Sequence, residues 1–139
     1  MQNFRLQILA MDHDFFDGQC ESLIVPLPTG QMGIQAYHNN MIAAIVPGEL
    51  KYRVPGEEFK TVAVSSGIMK IEDNDVMVMV GTAERPEEID ANRAQRARDE
   101  AMEAMLQKKS IQEYQTAQAN LARALNRLKV KRNSTSINI

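Results

Sequence analysis

Three side chains stand out by type as agents of chemistry: Cys20, His13 and His38. Cys20 is the only cysteine, so it has no internal disulfide partner, and no histidine or second cysteine stands beside it to favour the thiolate. It reads as an inert thiol. The two histidines are 25 residues apart, without the short spacing that metal ligation uses, and each reads as a structural or interface residue. The chain carries no G-x-x-x-x-G-K-[S/T] phosphate loop and no paired nucleophile and base. The chemistry left to it is recognition rather than catalysis.

The elements that must position any recognition surface divide at AERPEEIDANRA, Ala83 to Ala94. Before this stretch run short apolar segments punctuated by Gly, Pro and Asn. After Pro86 there is no further Gly or Pro, and Ala, Glu, Arg, Gln and Leu dominate. A period of two gives way to a period of 3.6. The 139 residues therefore predict a β domain over 1–85 and a helical domain over 86–139 that ends in a polar tail. Residues 1–85 hold 6 Lys and Arg against 11 Asp and Glu, and residues 86–139 hold 10 against 7. A mixed-sign helix surface of this kind is ordinarily solvated. The single aromatic residue of the helical part, Tyr114, supplies no basic, aromatic-interleaved patch for nucleic acid. No apolar run reaches the ~20 residues that span a bilayer, and the N-terminus lacks a signal-peptide pattern, which predicts a cytosolic compartment.

Six segments read as strands: Phe4 to Met11, Ser22 to Pro26, Ile42 to Val46, Thr61 to Ser65, Ile68 to Ile71 and Val76 to Val80. Turn signals separate them at Asp17-Gly18, Pro28-Thr29-Gly30, Pro47-Gly48, Pro55-Gly56, Ser66-Gly67 and Asp73-Asn74. Short strands at this spacing predict an antiparallel sandwich or barrel. Gly30 to Gly33 reads as a tight exposed turn. Val76 to Val80 is apolar at every position, so its outer face needs a cover, which a neighbouring sheet, the helical part or a partner protein could supply, the sheet being the simplest expectation.

Pro86 suits a first helical turn, and Glu87, Glu88 and Asp90 place negative charge at the positive end of the helix dipole. The pattern resets around Gln107-Lys108-Lys109, and Ser110-Ile111-Gln112-Glu113 forms a capping box that opens a second helix running to about Val130. Two helices with a short link predict an antiparallel hairpin. Ala94, Ala97, Ala101 and Ala104 form one expected stripe, and Ile111, Tyr114, Gln118, Leu121, Leu125 and Leu128 the other. Small residues would then meet large ones.

Several residue sets, in this order, resemble the epsilon subunit of bacterial F-type ATP synthase: Phe16-Asp17-Gly18 with Glu21-Ser22-Leu23, Gly30-Gln31-Met32-Gly33-Ile34 with His38, Pro47-Gly48-Glu49-Leu50, Val64 to Ile71, and Thr82-Ala83-Glu84 leading into Ile89-Asp90-Ala91-Asn92-Arg93-Ala94. The resemblance spans nearly the whole chain, with Asn40 where the family often has proline. It implies an N-terminal antiparallel β-sandwich on the rotor and a C-terminal two-helix hairpin that inhibits ATP hydrolysis. The subunit is non-catalytic. The implied partners are the gamma subunit, the c-subunit ring and the alpha and beta subunits, with Gly30, Gln31, Met32, Gly33 and His38 at the partner interface. The implied location is the cytoplasmic face of the bacterial cell membrane, reached only through the complex.

In some members the hairpin binds ATP as a regulatory ligand, with no cofactor required. The positions matching that set are Glu84, Ile89, Asp90, Arg93, Ala94, Arg123 and Arg127. Arg123 and Arg127 are one helical turn apart, so both guanidinium forks can reach a phosphate chain. Glu100 stands where the nucleotide-binding relatives carry a basic residue, and is expected to repel phosphate or to pair with Arg96. The alternatives to this reading are ordinary helix-surface charges, with Asp90 and Arg93 as an i,i+3 pair, and, for the whole chain, a free-standing sandwich adaptor with a coiled-coil hairpin or a small enzyme whose site lies in the sandwich.

Overall fold

The computed structural model describes residues 2–107 and 110–137, with backbone alone for 135–137. The chain divides into two compact units, Met1–Arg85 and Pro86–Ile139.

The first unit is a sandwich of two five-stranded sheets. Its strands are β1 (Phe4–Ala10), β2 (Asp14–Cys20), β3 (Ser22–Leu27), β4 (Gly30–Ile34), β5 (Met41–Ile45), β6 (Gly48–Arg53), β7 (Phe59–Val64), β8 (Gly67–Glu72), β9 (Asp75–Val80) and β10 (Ala83–Glu84). The first sheet has the order β2-β1-β9-β8-β5 and the second β10-β7-β6-β3-β4. All pairings are antiparallel except that of β1 with β9, which is parallel. Side chains of alternate parity fill the space between the sheets: Phe4, Leu6 and Ile8 from β1, Val76, Val78 and Val80 from β9, Met69 and Ile71 from β8, facing Leu23, Val25, Leu50, Val62 and Val64. Every one of them is buried.

Four strands lie where the sequence reading placed turns or nothing. Asp17-Gly18 is not a turn but the middle of edge strand β2, in register with Gln7 and Leu6. An ion pair from Arg5 to Asp17 at 3.1 Å secures it in place of apolar alternation. Gly30 to Gly33 is likewise extended, forming edge strand β4 against β3 after a turn at Pro28-Thr29. Strand β6 alternates cleanly, with Leu50 and Tyr52 inward, and β10 is only two residues long. The Asp73-Asn74 turn is present, with φ of 51° and 65°, the paired left-handed residues of a type I′ hairpin. The expected cover over β9 is absent as a sheet: Met77 is half-buried and Met79 is 37% exposed.

The second unit is a helical hairpin. Pro86–Glu88 forms a 3-10 turn rather than the start of the first helix, which is α1 (Ala91–Gln107); α2 spans Ile111–Ile137. The difference at the start is local chemistry: the Asp90 carboxylate accepts hydrogen bonds from the backbone N–H groups of Asn92 (3.0 Å) and Arg93 (3.1 Å), so Asp90 is the N-cap. Ser110 Oγ accepts from the Glu113 N–H at 3.0 Å and caps α2 as the sequence predicts. Helix α2 runs past Val130 because nothing after it breaks a helix: neither Gly nor Pro occurs between Lys131 and Ile137. Lys108 and Lys109, part of the expected link, lie outside the described residues, as does the end of the expected tail. The helices are antiparallel, since Lys131 Nζ near the end of α2 donates to the carbonyl of Pro86 just before α1.

The seam between the helices differs from the expected one. Ala94 and Ala101 of α1 are buried as expected, but α2 buries Ala117, Ala124 and Val130, while Ile111 is 79% and Leu125 46% exposed. Leu121 and Leu128 are half-buried at its border. Running in opposite directions, the two helices pair Ala101 with Ala117 and, seven residues on, Ala94 with Ala124. Small meets small. The α2 stripe is rotated by one position because alanine on both sides lets the backbones approach closely, whereas the leucine stripe would hold them apart.

Candidate functional site: a groove on the hairpin and an apolar row on the sandwich

Along one side of the hairpin, Ala97, Glu100 and Ala104 of α1 face Thr116, Asn120, Arg123 and Arg127 of α2 across an open groove floored by Ala101 and Ala117. Arg93 continues the α1 stripe one turn before Ala97, and the pairing of Ala94 with Ala124 sets it within one turn of Arg127. The hairpin thus brings Arg93, Arg123 and Arg127 to one side. Arg123 Nη2 donates to Asn120 Oδ1, which draws its guanidinium toward the level of Glu100. Glu113 lines the far end of the groove.

The other positions of the expected nucleotide set lie elsewhere. Ile89 and Ala94 are buried, Ala94 in the seam. Asp90 is exposed, but its carboxylate is committed to capping α1, and the expected pairing with the Arg93 side chain is replaced by a bond to the Arg93 backbone. Glu84 belongs to β10 of the sandwich. The alternative pairing of Glu100 with Arg96 does not form among the described residues; the neighbouring ion pair of α1 is Arg98 with Asp99, at 3.1 Å. Three cationic forks beside a small-residue floor can bind a chain of phosphates, with charge-assisted hydrogen bonds as the main attraction.

The expected interface residues occupy two places on the sandwich. Gly30, Gln31, Met32 and Gly33 lie along β4, the open edge of the second sheet, and Gly30 has φ of 120°, which a side chain would strain. His38 lies in the loop from β4 to β5. That loop is tied to the β8–β9 turn by Tyr37 N–H donating to Asn74 Oδ1 (2.6 Å) and Asp73 N–H donating to Asn40 Oδ1 (3.0 Å). Asn40 therefore makes a bond that a proline could not. Asn74 Nδ2 also donates to the carbonyl of Asn3 at 3.0 Å, so one side chain joins three segments.

The sequence reading missed an apolar row across the outer face of the first sheet. The registers place Leu9 beside Met79, Met79 beside Ile68 and Ile68 beside Ala44. Ile68 is 45% and Ile42, two residues from Ala44 on the same face, 72% exposed. The uninterrupted apolar run of β9 was the signal; combining it with the outward parity of Ile42 and Ile68 would have located the row.

Cys20 is buried and its Sγ donates to the carbonyl of Ser22 at 3.2 Å, with desolvation raising the thiol pKa, as befits an inert residue. Among the described residues no group of three or more His, Cys, Asp or Glu could hold a metal ion, and no helix is long and apolar enough to cross a membrane.

Comparison with known proteins covers both units. The family model for the ATP synthase delta/epsilon chain β-sandwich domain matches residues 3–86, and that for its long α-helix domain matches residues 87–132. The chain is 40% identical over 130 residues to the ATP synthase epsilon chain of Caldanaerobacter subterraneus, covering 93% of this chain and 94% of that one. It is 38% identical to that of Ruminiclostridium cellulolyticum, covering 92% and 95%. Among solved structures it is similar to a chain of the Euglena gracilis mitochondrial ATP synthase, with a TM-score of 0.74 at 20% identity over 86% of this chain and 76% of that one. A chain of the Tetrahymena thermophila mitochondrial enzyme gives 0.66 at 14% identity over 94% and 97%. At these identities the two structures speak for the fold.

Proposed function

This chain belongs to the ATP synthase delta/epsilon chain family as a non-catalytic, epsilon-type subunit of the bacterial F-type enzyme, and from that premise we propose that it joins the gamma subunit to the c ring and restrains ATP hydrolysis through its hairpin. In this role it supports the coupling of ion flow to ATP synthesis and is held at the cytoplasmic face of the membrane by the complex alone. The carrying observation is the row of Leu9, Met79, Ile68 and Ala44 with Ile42 beside it, apolar side chains on the outer face of a sheet. An exposed apolar row of this kind marks an interaction surface, and we assign it to gamma. The open β4 edge, with Gln31 and Met32 between two glycines, is assigned to the polar loops of the c ring, and the hairpin to the alpha and beta subunits.

The test is co-elution of the purified chain with gamma. The wild type should bind, and a chain ended after Arg85 should still bind if folded. Ile42→Glu with Ile68→Glu should abolish binding at unchanged secondary structure. Binding that survives the double glutamate change overturns the assignment of this face.

ATP enters as a regulatory ligand of the folded hairpin, held by Arg93, Arg123 and Arg127. The four seam alanines contribute one methyl each, at about 0.8 kcal/mol, or roughly 3 kcal/mol together, and the buried Val130 adds about 1.5–3 kcal/mol. A ligand that binds only the closed hairpin stabilises it by about 2.7 kcal/mol at a hundred times its dissociation constant. The two quantities are of the same order, so a nucleotide can decide whether the helices stay together. Arg123→Ala with Arg127→Ala should weaken ATP binding at least tenfold in a calorimetric titration and leave the reconstituted complex more inhibited at a given ATP level; unchanged affinity would remove nucleotide from the reading.

A further inference from the structure

The groove that holds Arg123 and Arg127 also holds Glu100, and among the described residues Glu100 has neither an ion pair nor a hydrogen-bond partner. Asn120 lines the same groove, and its side chain draws Arg123 along α2 in the direction of Glu100. A free polyphosphate drawn in by the arginines would therefore bring its own negative charge against a carboxylate. Like charges at such range oppose binding strongly. A divalent cation between them turns this repulsion into a bridge, since magnesium is commonly held by one or two carboxylates together with substrate phosphates.

We propose that this groove takes its nucleotide as the magnesium complex, with Glu100 as the protein's ligand to the cation and Arg123 and Arg127 on the phosphates. The inference rests on the nucleotide reading given above and adds the chemical form of the ligand. It also gives Glu100 a constructive part where the sequence alone suggested only repulsion. One carboxylate is too few to hold magnesium by itself, so the cation arrives with the phosphates.

Calorimetric titration of the full chain tests this with two probes, ATP in excess magnesium chloride and ATP in EDTA. The wild type should bind the magnesium form about tenfold more tightly. Glu100→Gln should bring the two affinities together, and Glu100→Arg should invert the preference toward free ATP. Equal or tighter binding of free ATP by the wild type overturns the proposal while leaving the nucleotide site in place, and so does a magnesium preference that survives Glu100→Gln. If neither form binds the wild type, the site and the proposal fall together. Manganese offers a second reading: bound as its ATP complex, it should broaden the amide signals around Glu100 in the wild type, and the absence of broadening there would count against the assigned ligand.

Discussion

The two units of this chain solve the same packing problem with opposite materials. The sandwich interlocks large side chains from both sheets, Phe4, Leu6, Ile8, Leu50, Met69 and Ile71 among them, all essentially inaccessible to water. The hairpin closes mainly on alanine, with Ala94 and Ala101 against Ala117 and Ala124, and Val130 is the one larger side chain that α2 buries among the described residues. A fully buried Leu or Ile contributes about 1.5–3 kcal/mol, whereas an alanine methyl contributes about 0.8. By this measure each buried side chain holds the sandwich more strongly than each seam alanine holds the hairpin. Residues that would strengthen a hairpin seam, Ile111, Tyr114 and Leu125, point outward instead.

Four changes test this contrast, the largest first. Gly67 stands where a Cβ would lie 2.0 Å from the carbonyl oxygen of Met79 on the paired strand, which is backbone and cannot yield. Gly67→Ala should cost more than about 4 kcal/mol in urea unfolding of the sandwich, because β8 and β9 must separate to admit it. A loss below 1 kcal/mol would show the sandwich to be more pliable than its packing implies.

Ala117→Leu overfills the seam and should cost roughly 1–3 kcal/mol. The loss should appear in the helical circular dichroism signal while the dispersion of the sandwich amides stays intact; a change that spreads to the sandwich would join the two halves into one cooperative unit.

Asp90→Ala removes the cap of α1 and should cost about 1 kcal/mol, read as fraying of the first helical turn by amide exchange, with Asp90→Asn restoring most of it. The smallest effect is expected on the surface of the sandwich. Arg5, by its hydrogen bond and charge, holds the Asp17 carboxyl below its usual range. A depressed carboxylate adds stability that is present above its unfolded pKa, about 3.9, and disappears as pH falls through the folded value. Asp17→Asn should therefore narrow the difference in sandwich melting temperature between neutral pH and pH 3, leaving the hairpin's response to acid unchanged.

How far the sequence could be read depends on the element. Loose alternation made β1 legible and short apolar runs made β8 and β9 legible, and the Asp73-Asn74 turn was legible from its residue types. Strands β2 and β4 were not, because edge strands with glycine and exposed polar residues carry no period-two signal and owe their extended form to hydrogen bonds from β1 and β3. Within the proposed nucleotide set, Arg123 and Arg127 came from the family resemblance, and their four-residue spacing says only that they share a helix face. That Glu100, Asn120 and Arg123 share a groove depends on how the helices are rotated against each other.

By itself, then, the sequence determined the break between a strand half and a helix half, the Asp73-Asn74 turn and the Ser110 cap, because each of these follows from the conformational preferences of a few adjacent residues. The tertiary structure alone decided which face of α2 would close the hairpin. Ala117 and Ala124 recur at the same seven-residue interval as Gln118 and Leu125, so both stripes satisfy helical periodicity equally. Only the presence of a second alanine stripe at contact distance selects the smaller residues and turns the larger ones out.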